Sequence, residues 1–225
     1  MSEEDHRRRH QEDLAFFGKM GADVSHDMRN VLSIIGEYAG MLDDLLALAK
    51  KPRNLDFAKL KDLSAKMTRQ VRKGTEVMER FSSFAHAADE QTKSFDLTAL
   101  TANVVALAQR QVKLAGCKLE AALPDEAIPV RANAFAMQQA IFSAIRTIGE
   151  SLEKGELVTI RLLAQGPSAV ISISGTAAAA AAADGSDQLS GRVSQLSEVL
   201  NELKGSIETS WADGALSVIL TIPIK

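Results

Sequence analysis

Apolar residues recur at Phe17, Met20, Val24, Met28, Val31, Ile35, Tyr38, Leu42 and Leu45, spaced by three or four throughout. This is the seam of a long amphipathic helix with heptad character, and the consecutive four-residue steps around Val24 locally relax its supercoil. The pattern predicts helix from Leu14 to about Ala49. Lys50-Lys51-Pro52 end it, because cations suit the C-terminal dipole and proline forbids continuation. Asn54 or Asp56 can cap a second helix, from Asp56 to Ala88, whose seam is Leu60, Leu63, Met67, Gln70, Gly74, Val77, Phe81 and Phe84. Gln70 and Gly74 weaken its middle, and Gly74 reads equally well as a close helix approach or a weak turn. Two such helices joined by a few residues form an antiparallel hairpin that cannot cover its own seam, so two copies are expected to close a four-helix bundle.

After the polar run Asp89 to Lys93 the pattern changes. Ser94 to Asp96 reads as extended and Leu97 to Ala115 as an amphipathic helix. Cys117 to Leu123 and Ile128 to Arg131 read as short strands flanking a Pro-Asp turn, and Ala134 to Glu153 as a helix. Leu157 to Leu163 and Ala169 to Ser174 predict a hairpin turning at Gln165-Gly166-Pro167-Ser168. A helix from Leu189 to Leu203 then ends at Gly205, and Ser206 to Trp211 pairs with Ala215 to Ile222 in a last hairpin. Helices laid on one face of a mixed sheet follow, so the fold class is α+β. The domains are a charged tail over 1–12, a helical hairpin over 13–92 and an α/β sandwich over 93–225.

Composition narrows the function classes. The net charge is −3 and no basic stripe runs through the 225 residues, so binding along a phosphate backbone is not expected. One Trp, one Tyr and eight Phe leave few platforms for base stacking. The single cysteine, Cys117, cannot form an internal disulfide and reads as a thiol in a strand core. The N-terminal segment MSEEDHRRRHQED carries no signal-peptide core, and no stretch is long and apolar enough to insert into a membrane, so a cytoplasmic location is expected. The alanine run from Ala177 to Ala183 offers no group to a ligand. His6, His10 and His86 read as solvated positions rather than metal ligands, and Trp211 as packing in the last hairpin.

The chemistry concentrates in Ser25-His26-Asp27-Met28-Arg29-Asn30. His26 lies two positions from each of the seam residues Val24 and Met28, so helical rotation turns its ring away from the bundle. A neutral imidazole is plentiful at neutral pH and can take a phosphoryl group on one ring nitrogen while a neighbour holds the other. Asp27 can fix the tautomer as the acid of a catalytic triad does, and Asn30, one turn on, can position a water or a phosphoryl oxygen. Ser33, Glu37, Gly40 and Asp44 continue the stripe.

This box, on the first helix of a long hairpin, resembles the phosphoacceptor box of two-component histidine kinases. Val130-Arg131-Ala132-Asn133 resembles the strand running into the ATP-site helix of that family, and GALSVILTIPIK its closing strand. The resemblance implies a dimerisation and phosphotransfer hairpin carrying His26, followed by an ATPase-like sandwich. It also marks losses. Ser143 and Thr147 stand where the family keeps two asparagines, one of them a magnesium ligand. Ser174-Gly175-Thr176 stands where it keeps an adenine-reading aspartate and spaced glycines, and its glycine-rich lid is reduced to Gly191. Phosphoryl transfer from ATP rests on positioning and charge neutralisation, so ATP-dependent kinase activity is not expected.

What the resemblance implies is therefore a homodimeric histidine phosphotransferase passing phosphoryl groups between His26 and the aspartates of response-regulator receiver domains. His26, Asp27 and Asn30 carry the chemistry, and Arg29, Ser33 and Glu37 dock the partner. The protein itself takes no cofactor, and the magnesium sits on the receiver. Two alternatives stay open: a phosphatase of the phosphorylated receiver, through the acid-x-x-Asn pattern of Asp27 and Asn30, and a non-enzymatic inhibitory scaffold.

Overall fold

A computed structural model describes residues 3–48, 56–88, 92–176, 186–212 and 215–224. The alanine run, the Lys50-Lys51-Pro52 stop and Asn54 lie outside them. The chain divides into two compact units, Met1–Ser83 and Phe84–Lys225.

Two helices make the first unit, α1 (Glu3–Leu48) and most of α2 (Phe57–His86). α1 begins well before the expected Leu14. The residues upstream carry no proline or glycine to stop a helix, and the apolar pattern says nothing about a turn that is polar all round. Asp56 caps α2, its Oδ1 accepting from Lys59 N at 3.1 Å. Phe17 meets Phe81 with ring centroids 6.0 Å apart, Val31 faces Gly74, and Lys66 lies over the Tyr38 ring. The start of one helix thus pairs with the end of the other, and the hairpin is antiparallel. Met20, Val24, Val31 and Leu63 of the seam are buried.

Gly74 is a close approach. A Cβ there would sit 3.2 Å from Val31 Cγ1 and 3.4 Å from Met28 Cε. Alanine at 74 gains about 1 kcal/mol of helix propensity over glycine but presses on the stiff, buried Val31 at 3.2 Å, which offsets the gain, so Gly74→Ala is expected to be near neutral. Gly74→Leu must part the helices, at about 1–3 kcal/mol. Thermal melts of the two variants, followed at 222 nm, check the contrast.

The second unit is a two-layer α/β sandwich. In chain order it contains β1 (Lys93–Asp96), α3 (Leu97–Leu114), β2 (Lys118–Ala122), β3 (Pro129–Ala132), α4 (Ala134–Glu150), β4 (Leu157–Gln165), β5 (Ser168–Thr176), α5 (Ser186–Glu202), β6 (Ser206–Ala212) and β7 (Ala215–Pro223). Five strands form a mixed sheet in the order β2-β4-β5-β7-β6, with β2 parallel to β4 and the other pairs antiparallel. Alternation along the strands sends Val158, Ile160, Leu162, Ile171, Ile173, Leu216, Val218 and Leu220 to the covered face, each fully buried. Against them pack Ile141, Ile145 and Ile148 of α4 and Leu196 and Leu200 of α5, which are buried too.

The strands on either side of the Pro-Asp turn join different sheets. β2 goes parallel to β4, while β3 pairs antiparallel with β1. Asp96 ties this second pair to α3: its Oδ1 caps the helix at Thr98 N (2.9 Å) and also accepts from Ile128 N (3.0 Å). The last turn of α2 belongs to this unit, where Phe84 meets Phe135 with centroids 5.8 Å apart. No helix among the described residues is long and apolar enough to cross a membrane.

Cys117 is buried just before β2, its Sγ 3.4 Å from the carbonyl of Glu153 and 3.7 Å from that of Gly149. Burial pushes the thiol above its ordinary pKa, and the Glu156 carboxylate adds to the shift. The thiol is therefore expected to resist alkylation at neutral pH until the unit unfolds, measured as the rate of iodoacetamide labelling with and without denaturant. The raised pKa favours the protonated fold. Its contribution is whole below the usual thiol range and is lost as the pH climbs through the raised value.

Candidate functional site

The box around His26 lies at mid-length of α1 in the first unit. Val24 and Val31 face the seam and are buried, which fixes the rotation of the helix and with it the direction of every intervening side chain. His26 and Asp27 are partly exposed, with side-chain exposures of 43% and 41%. Arg29, Asn30, Ser33 and Glu37 are exposed. Met28 turns inward, its thioether against the backbone of Gly74.

Asn30 Nδ2 lies 3.1 Å from His26 Nδ1. Asp27 Oδ1 lies 3.9 Å from the same nitrogen, near enough to act as a charge and too far for a hydrogen bond. Sequence reasoning gave Asp27 the bond to the ring; the geometry gives it to Asn30. An i,i+4 pair stacks one side chain directly over the other, whereas the adjacent residue is rotated about 100° away. That spacing was visible in the sequence, and it is the signal that favours Asn30.

The pair has two chemical states. With its NH2 toward the ring, Asn30 donates to a bare Nδ1, and the ring proton sits on Nε2. After a half-turn of the amide, Nδ1–H donates to Asn30 Oδ1 and Nε2 carries the lone pair. In the second state Nε2 is a nucleophile, and the Asp27 carboxylate lies on the Nδ1 side of the ring at 3.9 Å.

Ser33 and Glu37 follow His26 and Asn30 along one stripe of α1, and Arg29 borders it. Among the described residues no group of His, Cys, Asp and Glu side chains is placed to hold a metal ion, and His10 and His86 are exposed. In the second unit Ser143 and Thr147 lie one turn apart on α4, Thr147 buried and Ser143 half-buried. Gly175 is buried near the end of β5, and Gly191 lies within α5.

No protein-family model and no curated protein sequence matches the chain. Solved structures do. The catalytic domain of histidine kinase ThkA is similar at 14% identity, covering 60% of this chain and 99% of that one with a TM-score of 0.51. A histidine kinase from Burkholderia phymatum STM815 is similar at 12% identity, covering 92% of this chain and 97% of its own, also at 0.51. Histidine kinase ThkA in complex with the response regulator protein TrrA is similar at 16% identity over 98% of this chain and 66% of that one, with a TM-score of 0.50. At these identities the likeness is one of fold. The chain has a histidine-kinase-like α+β fold, a helical hairpin followed by a sandwich of the histidine-kinase ATPase kind.

Proposed function

We propose that this chain is a histidine phosphotransferase of a two-component phosphorelay, working as a homodimer and without ATP. The observation that carries the reading is the partly exposed His26 ring with Nδ1 held at 3.1 Å by Asn30 and the Asp27 carboxylate 3.9 Å away. In this reading Nε2 attacks the phosphorus of a receiver aspartyl phosphate. The Nε2–P bond forms, the P–O bond to aspartate breaks, and the receiver carboxylate leaves. The ring becomes cationic with its proton still on Nδ1, donating to Asn30 Oδ1 after the half-turn of the amide and facing the Asp27 carboxylate. The reverse reaction returns the group to a second receiver.

Magnesium is supplied by the receiver, whose acidic pocket must neutralise the phosphoryl oxygens in either direction. Arg29, Ser33 and Glu37 form the docking surface because they share or border the His26 stripe. The complex of a similarly folded kinase with a response regulator supports a partner of this class.

Asn30 favours a second reading. An exposed amide beside the ring can also hold a water in line with the aspartyl phosphate, which makes a phosphatase. The test incubates a phosphate-labelled receiver with the chain. Label moving stably onto the chain supports the relay, loss as inorganic phosphate supports the phosphatase, and label staying on the receiver refutes both and leaves a scaffold. Asn30→Ala sharpens the result. It is expected to weaken transfer modestly in a relay and to stop phosphate release in a phosphatase.

A further inference from the structure

The resemblance to histidine kinases implies an adenine-reading aspartate at the end of β5, which would need room for a side chain and a place for its carboxylate there. Gly175 provides neither. A Cβ built on it would lie 2.5 Å from Leu152 Cδ1 and 3.1 Å from Ile148 Cγ2. Ile148 is fully buried on α4, and Leu152 is half-buried just beyond the end of that helix. Within the sheet Gly175 is flanked by Val158 and Leu216, both fully buried. Thr147, at one of the two positions where the resemblance implies asparagines, is buried one residue before Ile148, and its carbonyl accepts from Ser151 Oγ at 2.8 Å. Apolar side chains therefore surround residue 175 from the helix and from both neighbouring strands, and the hydroxyls on α4 supply neither an amide nor a carboxylate.

We propose that the end of α4 and the end of β5 form a closed apolar joint in place of a nucleotide cleft, with Leu152 and Ile148 seated on Gly175 as its plug. The absent side chain at 175 is what lets the helix end rest on the sheet. A carboxylate at 175 would be pressed against hydrocarbon with no cation or donor from those four neighbours, a costly burial. The inference deepens the ATP-independent reading of the chain. It is read from nucleotide binding and stability with no receiver present, so it stands or fails separately from phosphotransfer.

The test uses the full chain. Calorimetric titration with magnesium-ATP is expected to show no saturable binding below millimolar concentration. Gly175→Asp is expected to lower Tm by roughly 5–12 °C and to gain no ATP binding. Adding Leu152→Ala to it should recover part of the loss, because the two side chains compete for one space. If Gly175→Asp does not fold, Gly175→Ala, expected to lower Tm by roughly 2–8 °C, replaces it in the same comparison. Submillimolar binding of ATP by the wild-type chain, a Gly175→Asp protein as stable as wild type, or strictly additive effects of the paired substitutions would overturn the joint.

Discussion

Replacing His26 with alanine is expected to abolish phosphoryl transfer from a labelled receiver altogether, while circular dichroism and molecular mass stay those of the wild-type chain. Loss is complete because no other group on the stripe, neither the Asn30 amide nor the Ser33 hydroxyl, forms a labile N–P bond that a second receiver can reclaim. Fold is kept because the ring is 43% exposed and the buried neighbours Val24 and Val31 are untouched. Asp27→Asn removes the charge 3.9 Å from Nδ1 but keeps the shape. Positioned acid-base groups contribute roughly 10²–10⁴-fold, and both side chains here are over 40% exposed, so solvent screening sets the expected slowing at about 10²-fold or less. Single-turnover transfer, followed by acid-labile label on the chain, measures both variants. Wild-type transfer rates in the His26→Ala protein would show that another residue carries the phosphoryl group.

Light scattering at micromolar concentration is expected to give twice the chain mass. The hairpin buries one seam within itself and leaves a second apolar face in water: Leu14 is 58% exposed, Leu32 61%, Val71 54% and Met78 47%. Leu14 and Leu32 lie five helical turns apart on one face of α1, and Val71 and Met78 are a heptad apart on α2. Leu32 and Val71 sit at the level where Val31 meets Gly74. Exposed apolar side chains spread over that length are what a second hairpin covers in a four-helix bundle. Leu32→Glu with Val71→Glu would place like charges in that interface on both copies. Unpaired buried charge costs about 3–5 kcal/mol per site, so the dissociation constant should rise by a thousandfold or more and the chain should run as a monomer. A wild-type chain that scatters as a monomer would remove the dimer from the proposal; label transfer to His26 is measured independently of it.

What could be read from the sequence about the fold and the site is what depends on local period. Spacings of three and four placed Met20, Val24, Val31 and Leu63 inward, and all four are buried; alternation placed Leu216, Val218 and Leu220 on the covered face of β7. The His26 stripe, with Asn30, Ser33 and Glu37, follows from the same helical rotation. These features needed only the residues next to one another along an element.

The tertiary structure decided everything that depends on which elements meet. Nothing in the residues of β2 and β3 states that one pairs with β4 and the other with β1, because a strand's pattern identifies its buried face and not its neighbour. Gly74 could be read as a weak turn or a close approach until Val31 and Met28 were found against it. The i,i+4 spacing of His26 and Asn30 was legible in the sequence, but the 3.1 Å and 3.9 Å distances of Asn30 and Asp27 from the ring nitrogen are set by rotamers. Leu152 carried no signal at all, since its meaning comes from Gly175, a residue distant in sequence that packing of helix on sheet brings into contact. Local periodicity is a property of a segment, whereas pairing, close approach and plugging are properties of two surfaces, and only folding brings the second surface into place.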